Sequence, residues 1–176
     1  VKIRTMIPNA DSNGVDSTSN NDIRITRIGS FIRKWKLDEL TQFWNIINGD
    51  MSFVGPRPNV KRETEIYTNI EKNILKFKPG LTDFASIVFS DEGDIINEYE
   101  DPDIAYNQLI RPWKSRLAIV YIENQNILLD LRIIVITFIS LFNRRKALGL
   151  VTEILKRLKV SNEIIEVSKR RTKLIP

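Results

Sequence analysis

Residues 52–58 read SFVGPRP, with prolines at positions 56 and 58. Neither proline has an N–H to donate and both fix φ, which bars this stretch from a helix interior and from the middle of a sheet. It is expected to be a rigid, extended turn. On either side the apolar residues follow helical spacing. Upstream, Ile28, Phe31, Ile32 and Trp35, then Leu40, Phe43, Trp44 and Ile47, recur three and four positions apart and predict helices that turn these residues to a core. Asn48-Gly49-Asp50 ends the second of them, with Gly49 just past the last helical residue.

Downstream, residues 60–77 read as helical, KPGLT at 78–82 as a turn and FASIVF at 84–89 as a short strand. A helical region is predicted from about Asp101 to Asn124, with Pro112 marking a break or a first turn. The most apolar run, 127–142, is interrupted by Asp130 and Arg132 and is short for a bilayer span, so it is read as a buried helix. The tail, 148–173, sets Leu148, Val151, Leu155 and Leu158 on one stripe among lysines and arginines. A packing helix or a frayed end accounts for that stripe, and a membrane-surface helix is the alternative. Residues 1–6 alternate like the end of a strand, and residues 8–22, rich in Ser, Asn, Asp and Gly, read as a flexible loop. A length of 176 residues suits one domain, or one domain with a tail. The chain opens on Val1, which reads as a cut end, and its first residues form neither a signal peptide nor a transmembrane helix.

Composition narrows the chemistry. The sequence contains no cysteine and no histidine. Thiol nucleophiles, thiolate or imidazole metal sites and a Ser-His-Asp triad are therefore excluded. What remains is carboxylate, lysine, arginine, tyrosine and hydroxyl chemistry, or a hard metal held through oxygen. The net charge of +5 favours anionic partners such as nucleic acid, phosphorylated small molecules or an acidic membrane surface.

Against that background the pair Asp38-Glu39 stands out. Leu37 and Leu40 flank it and are expected to turn inward, Arg33, Lys34 and Lys36 precede it, and Arg57 sits between the two prolines. A helix starting near Leu37 would hold both acids in its first turn, where unpaired amides and the helix dipole favour carboxylates and phosphates. An ionised aspartate among arginines is a usable nucleophile toward phosphorus, and a neighbouring glutamate can share a Mg²⁺. A solvated helix face explains the same two letters. Arg57 reads equally as a rigid fork on a phosphate and as a loop arginine pairing with an acid. No Walker A sequence and no strand-linked Gly-x-Gly-x-x-Gly is present.

The segments KIRTM, ITRIGSFIRKWKLDELTQFWNIINGDMSFVGPRP and KPGLT, in this order and spacing, resemble the bacterial sugar transferases, the monotopic phosphoglycosyl transferases. EDPDIAYNQLIRPWKSRLAIVYIENQNILLDLRIIVITF is similar to the family's closing segment, so the resemblance runs from about Lys2 to Phe142. It implies a mainly α fold with a small β element, as a single compact catalytic domain of a monotopic, membrane-associated fold. That domain would span 1–143, without the family's N-terminal membrane hairpin, and 144–176 would form a basic amphipathic tail.

The implied reaction moves a sugar 1-phosphate from a UDP-sugar to a polyprenol phosphate and releases UMP through a phosphosugar–aspartyl intermediate with Mg²⁺. It begins lipid-linked glycan assembly for capsule, O-antigen or exopolysaccharide, on the cytoplasmic face of the bacterial inner membrane. Carried onto matching positions, Asp38 is the nucleophile and Glu39 its catalytic partner, both at the metal. Arg33 and Arg57 bind substrate phosphates, and Lys2 and Arg4 match a further basic pair. The chain departs from the pattern at Lys36, where a serine is common, at Thr41, where a proline is common, and at Asp83, where many relatives have glycine. The rival reading is an inactive, truncated relative that binds a membrane surface or a partner. Nucleic-acid binding rests on charge alone and is not expected, because Trp35, Phe43 and Trp44 fall on core stripes.

Overall fold

A computed structural model describes residues 3–10, 22–34, 37–57 and 64–174. Lys2, Trp35, Lys36, Pro58, most of the proposed 8–22 loop and the start of the proposed 60–77 helix lie outside these residues. The resemblance is right about the class: the described chain is mostly helical with a small sheet. That sheet is two parallel strands, β1 (Ser52–Val54) and β2 (Gly80–Thr82), with Ser52 opposite Gly80 and Val54 opposite Thr82. SFVGPRP is thus a short strand first and a turn only from Gly55 onward. In a two-stranded sheet every strand is an edge, and this placement needs no N–H from Pro56. Pro56 contributes its carbonyl instead, accepting from Gly80 N at 3.0 Å, while Gly55 N donates to Thr82 O at 3.0 Å. The two backbones touch there: a Cβ built on Gly80 would lie 2.1 Å from Gly55 N.

Before the sheet, α1 (Arg27–Lys34), a 3₁₀ turn (Leu37–Glu39) and α2 (Gln42–Ile47) follow one another. Gly49, with φ of 79°, ends α2 in the left-handed conformation expected of that glycine. Among the described residues the N-terminal segment forms an isolated antiparallel bridge, Met6 to Ile25, rather than a strand. Between the strands, Glu71–Lys76 is a 3₁₀ helix.

After β2 come α3 (Phe84–Val88), α4 (Glu92–Ile96) and α5 (Pro102–Ala105), then a π-helical turn (Tyr106–Ile110) leading into α6 (Arg111–Asn124). FASIVF is therefore a helix and not a strand. Asp83 caps it, accepting from Ser86 N at 2.7 Å and Ser86 Oγ at 2.6 Å, and Phe84, Ala85, Ile87 and Val88 are all buried. A short apolar run broken by one serine is too short to show a clear period, so the capping aspartate decides its form. Pro112 lies in the first turn of α6, where its missing N–H costs least.

The last three helices are α7 (Ile127–Phe142), α8 (Arg144–Arg157) and α9 (Asn162–Lys169). Asn126 caps α7 through Leu129 N at 3.0 Å, and Asn143 caps α8 through Lys146 N at 2.9 Å. The core joins Phe84, Ile87 and Val88 of α3 to Leu109, Ile110 and Leu117, to Ile133 of α7 and to Val151 and Leu155 of α8. The apolar stripe of the tail thus packs inward, with Leu148, Val151 and Leu155 buried.

Two expected cores are surfaces. In α7 only Leu129, Ile133 and Ile136 are buried, while Leu128, Leu131, Val135, Phe138 and Leu141 face outward. Among the described residues α8, α3 and the two strands pack against the other face of α7, so its apolarity does not translate into burial all round. Ile28, Phe31, Leu40, Phe43, Trp44 and Ile47, read as core stripes, are likewise exposed. Helical spacing identifies the face but not what covers it. The argument against nucleic acid drawn from Phe43 and Trp44 therefore does not hold. Among the described residues no helix is long and apolar enough to cross a membrane.

Candidate active site

Asp38 and Glu39 sit in the 3₁₀ turn rather than in the first turn of a longer helix, since α2 begins only at Gln42. Asp38 is 5% exposed, so it does not belong to a solvated face. Leu40 is exposed and does not turn inward as expected. The backbone of the turn is tied to the N-terminal segment by Ile3 N, which donates to Asp38 O at 3.4 Å. That segment also anchors α1. Thr5 O accepts from Thr26 N at 3.1 Å, and a Cβ on Gly29 would fall 1.9 Å from the same oxygen, so only glycine admits this approach.

Arg33, near the end of α1, donates through Nε to Thr5 Oγ1 at 2.8 Å. Burial pulls its guanidinium below the usual arginine range, and the charges of Asp38 and Asp22 oppose that pull. Arg57, one residue past Pro56, donates Nη2 to Glu39 Oε1 at 2.7 Å. Desolvation works against its charge, but Glu39 above all, with Glu92 and Asp83, raises its proton affinity overall. Of the two sequence readings of Arg57, the structure shows the pairing with an acid, and that acid is Glu39.

Arg33, Asp38, Glu39 and Arg57 line one open cavity of ≈ 330 Å³ together with Ser86, Phe89, Ser90, Glu92, Gly93 and Lys114. The Gly55–Gly80 contact fixes the turn that carries Arg57, so four positions spread over 25 residues converge through the fold and not through local spacing. Arg4 is exposed and does not line the cavity, although its segment touches the 3₁₀ turn. Lys2 lies outside the described residues.

Lys114 was not singled out by sequence. It comes from α6, ion-pairs with Glu92 and lies 5.0 Å from the Tyr106 ring centroid. Nothing local marks it: α6 carries basic residues at 111, 114 and 116, and only the fold says which one faces the cavity. Behind the wall, Asp83 is fully buried. Burial pushes its carboxyl up, against the hydrogen bonds from Ser86 and the charges of Lys114 and Arg57.

Among the described residues no group of three acidic side chains could cage a metal ion. Mg²⁺ rarely uses such a cage; it takes one or two carboxylates and completes its shell with water and substrate phosphate oxygens. Asp38 and Glu39 offer that kind of donor set, hard oxygens on a cavity wall that also carries cations for phosphate. The residues present fit the ion on those terms.

The fold and this cavity define a small helical domain whose site gathers carboxylates and cations and holds neither histidine nor cysteine. Residues 1–144 match the model of the bacterial sugar transferases, and the chain belongs to that family. It is 35% identical over 150 residues to a UDP-glucose:undecaprenyl-phosphate glucose-1-phosphate transferase of Klebsiella pneumoniae, covering 83% of this chain and 30% of that protein. It is 38% identical over 117 residues to the galactosyl transferase CpsE of Streptococcus agalactiae, covering 66% of this chain and 23% of that protein. With the sugar transferase EpsL of Bacillus subtilis it shares 32% identity over 136 residues, 77% of this chain and 58% of that protein. The chain thus spans less than a third of the first two relatives.

Proposed function

We propose that this chain is a phosphoglycosyl transferase domain that moves a sugar 1-phosphate from a UDP-sugar to a polyprenol phosphate, releasing UMP and initiating a lipid-linked glycan. The observation that supports this most is the convergence of Arg33, Asp38, Glu39 and Arg57, the motif residues of its family, on one cavity. The relatives' names, which specify UDP-sugars and undecaprenyl phosphate, support the substrate classes.

In this reading a carboxylate oxygen of Asp38 attacks the sugar-bearing phosphorus of the UDP-sugar. The bond from that phosphorus to the bridging oxygen breaks, and UMP leaves with that oxygen. The resulting acyl phosphate is opened by a phosphate oxygen of the polyprenol phosphate, which restores Asp38 and yields the diphosphate-linked sugar. Covalent catalysis divides one exchange between two bulky substrates into two smaller ones. Negative charge gathers when a carboxylate meets a diphosphate, and fixed cations lower that cost. Arg33 and Lys114 share the cavity for this role, and Arg57 holds Glu39 in place while offering its remaining donors. Mg²⁺, held by Asp38 and Glu39, would screen the diphosphate and polarise its oxygens. The exposed apolar faces of α7 and of the α1–α2 region suit a protein that works where a lipid acceptor resides, at a membrane surface.

UMP release from UDP-sugars with Mg²⁺ and polyprenol phosphate, compared between the native chain and Asp38→Asn, tests the reading. Release is expected from the native chain, with a loss of at least about a thousandfold in the variant, the scale on which removing a covalent nucleophile acts. Equal release from both overturns it. No release from either leaves the partner-binding reading in its place.

A further inference from the structure

The helices after Asn143 carry a second charged cavity, formed at the edge of the family match and beyond it. It lies between α8 and the end of α9 and measures ≈ 840 Å³, within the range of small-molecule sites. Six cations line it, Arg144, Arg145, Lys156, Lys169, Arg170 and Arg171, against one carboxylate, Glu153. The nearby acids do not offset them. Glu153 pairs with Arg157, which is not in the wall, and Glu166 pairs with Lys169. Asp91 is divided between Arg144 at 2.8 Å and Arg170 at 3.3 Å. Arg145, Lys156 and Arg171 form no ion pair among the described residues.

Arg170 makes this more than a basic patch. Its side chain is 9% exposed, yet Nε and Nη1 are buried without a hydrogen-bond acceptor, while Nη2 reaches Asp91. It also holds a left-handed backbone, φ 50°, at the end of α9, a conformation that a non-glycine residue adopts at a cost. Buried guanidinium donors are ordinarily satisfied, and six cations around one cavity repel one another.

We infer that this groove is a second anion site, which takes a multiply charged phosphate group, free or as a lipid headgroup. The occupant supplies acceptors to Arg170 and charge to Arg145, Lys156 and Arg171. The groove also reaches the first cavity. Arg144 donates Nε to Ser90 Oγ at 3.0 Å and Nη2 to Val88 O at 3.2 Å, and Arg170 lies 5.6 Å from the Phe89 ring centroid. Phe89 and Ser90 are walls of the candidate active site. An anion that draws Arg144 or Arg170 from Asp91 shifts that wall. The inference does not depend on the proposed transferase reaction, only on the groove.

Calorimetry with inorganic pyrophosphate at low salt tests it on the full chain, beside flotation on phosphatidylcholine vesicles with and without phosphatidic acid. Arg145→Glu with Arg171→Glu removes two cations that hold nothing in the fold, and is expected to weaken binding about tenfold or more. Arg57→Gln, which leaves the lining of the groove untouched, keeps this binding. Lys72→Glu with Lys76→Glu, the same charge change elsewhere on the surface, keeps it too. Should the double reversal unfold, Lys156→Gln with Arg171→Gln asks the same question. Pyrophosphate binding that depends on the groove assigns a free phosphate, and vesicle binding alone that depends on it assigns a headgroup. The inference is overturned if the wild type binds neither probe, if both reversals act alike, or if the groove variants bind as the wild type does.

Discussion

Glu71 accepts from Thr68 N and Oγ1, each at 2.9 Å, and from Arg111 Nη1 at 3.1 Å. Burial pushes its carboxyl up, but these donors, with Ser115, bring it below the usual range overall. A depressed folded pKa stabilises the protein at neutral pH, and that contribution fades as acid titrates the group. Glu71→Gln is therefore expected to cost about 1–3 kcal/mol near neutrality. The gap to wild type should narrow in acid, as urea melts at both pH values would record. The residues of the candidate site divide the same way, into those with local signals and those without. Asp38, Glu39, Arg33 and Arg57 stood out because each lies in a distinctive string around the two prolines. Lys114, Glu92 and Ser86 did not, because their meaning comes from which side of a helix faces the cavity.

Among the elements, the strand pair is held by the absence of side chains. Gly80→Ala would drive a Cβ into the Gly55 backbone, where no rotamer change relieves the overlap. A loss of about 3 kcal/mol, the upper range for overpacking, is expected in thermal or urea unfolding. Because the same contact places Arg57, substrate binding should weaken with it. Helix ends were legible where a short polar residue announced them: Asn48-Gly49 after α2, and Pro112 at the start of α6. FASIVF was not, since five apolar residues around one serine fit a buried strand and a buried helix equally, and Asp83 reads in the sequence only as a departure from the family pattern. Asn126→Ala, which removes the α7 cap, is expected to cost about 1 kcal/mol by the same measurement.

For the whole molecule, the informative error concerned burial. Periodicity placed α1 and α2, and the apolar run placed α7, correctly as helices, but their apolar residues were assigned to a core. Among the described residues the core lies around α3, the π turn, α6 and the inner faces of α7 and α8, and the other faces are open. Leu131→Ser with Phe138→Ser changes only exposed positions, so the melting temperature should hardly move, while flotation with phospholipid vesicles should fall severalfold if that face meets lipid. Unchanged flotation would assign the face another role.

The last helices also bear on how the chain is divided. Ala147, Val151 and Leu155 complete the same interior as Phe84 and Ile133, and Arg144 latches the loop that borders the candidate active-site cavity. A recombinant fragment ending at the family boundary, residue 144, would expose Phe84 and Ile133 to water. Aggregation on expression, rather than a trimmed enzyme, is what such a fragment should yield.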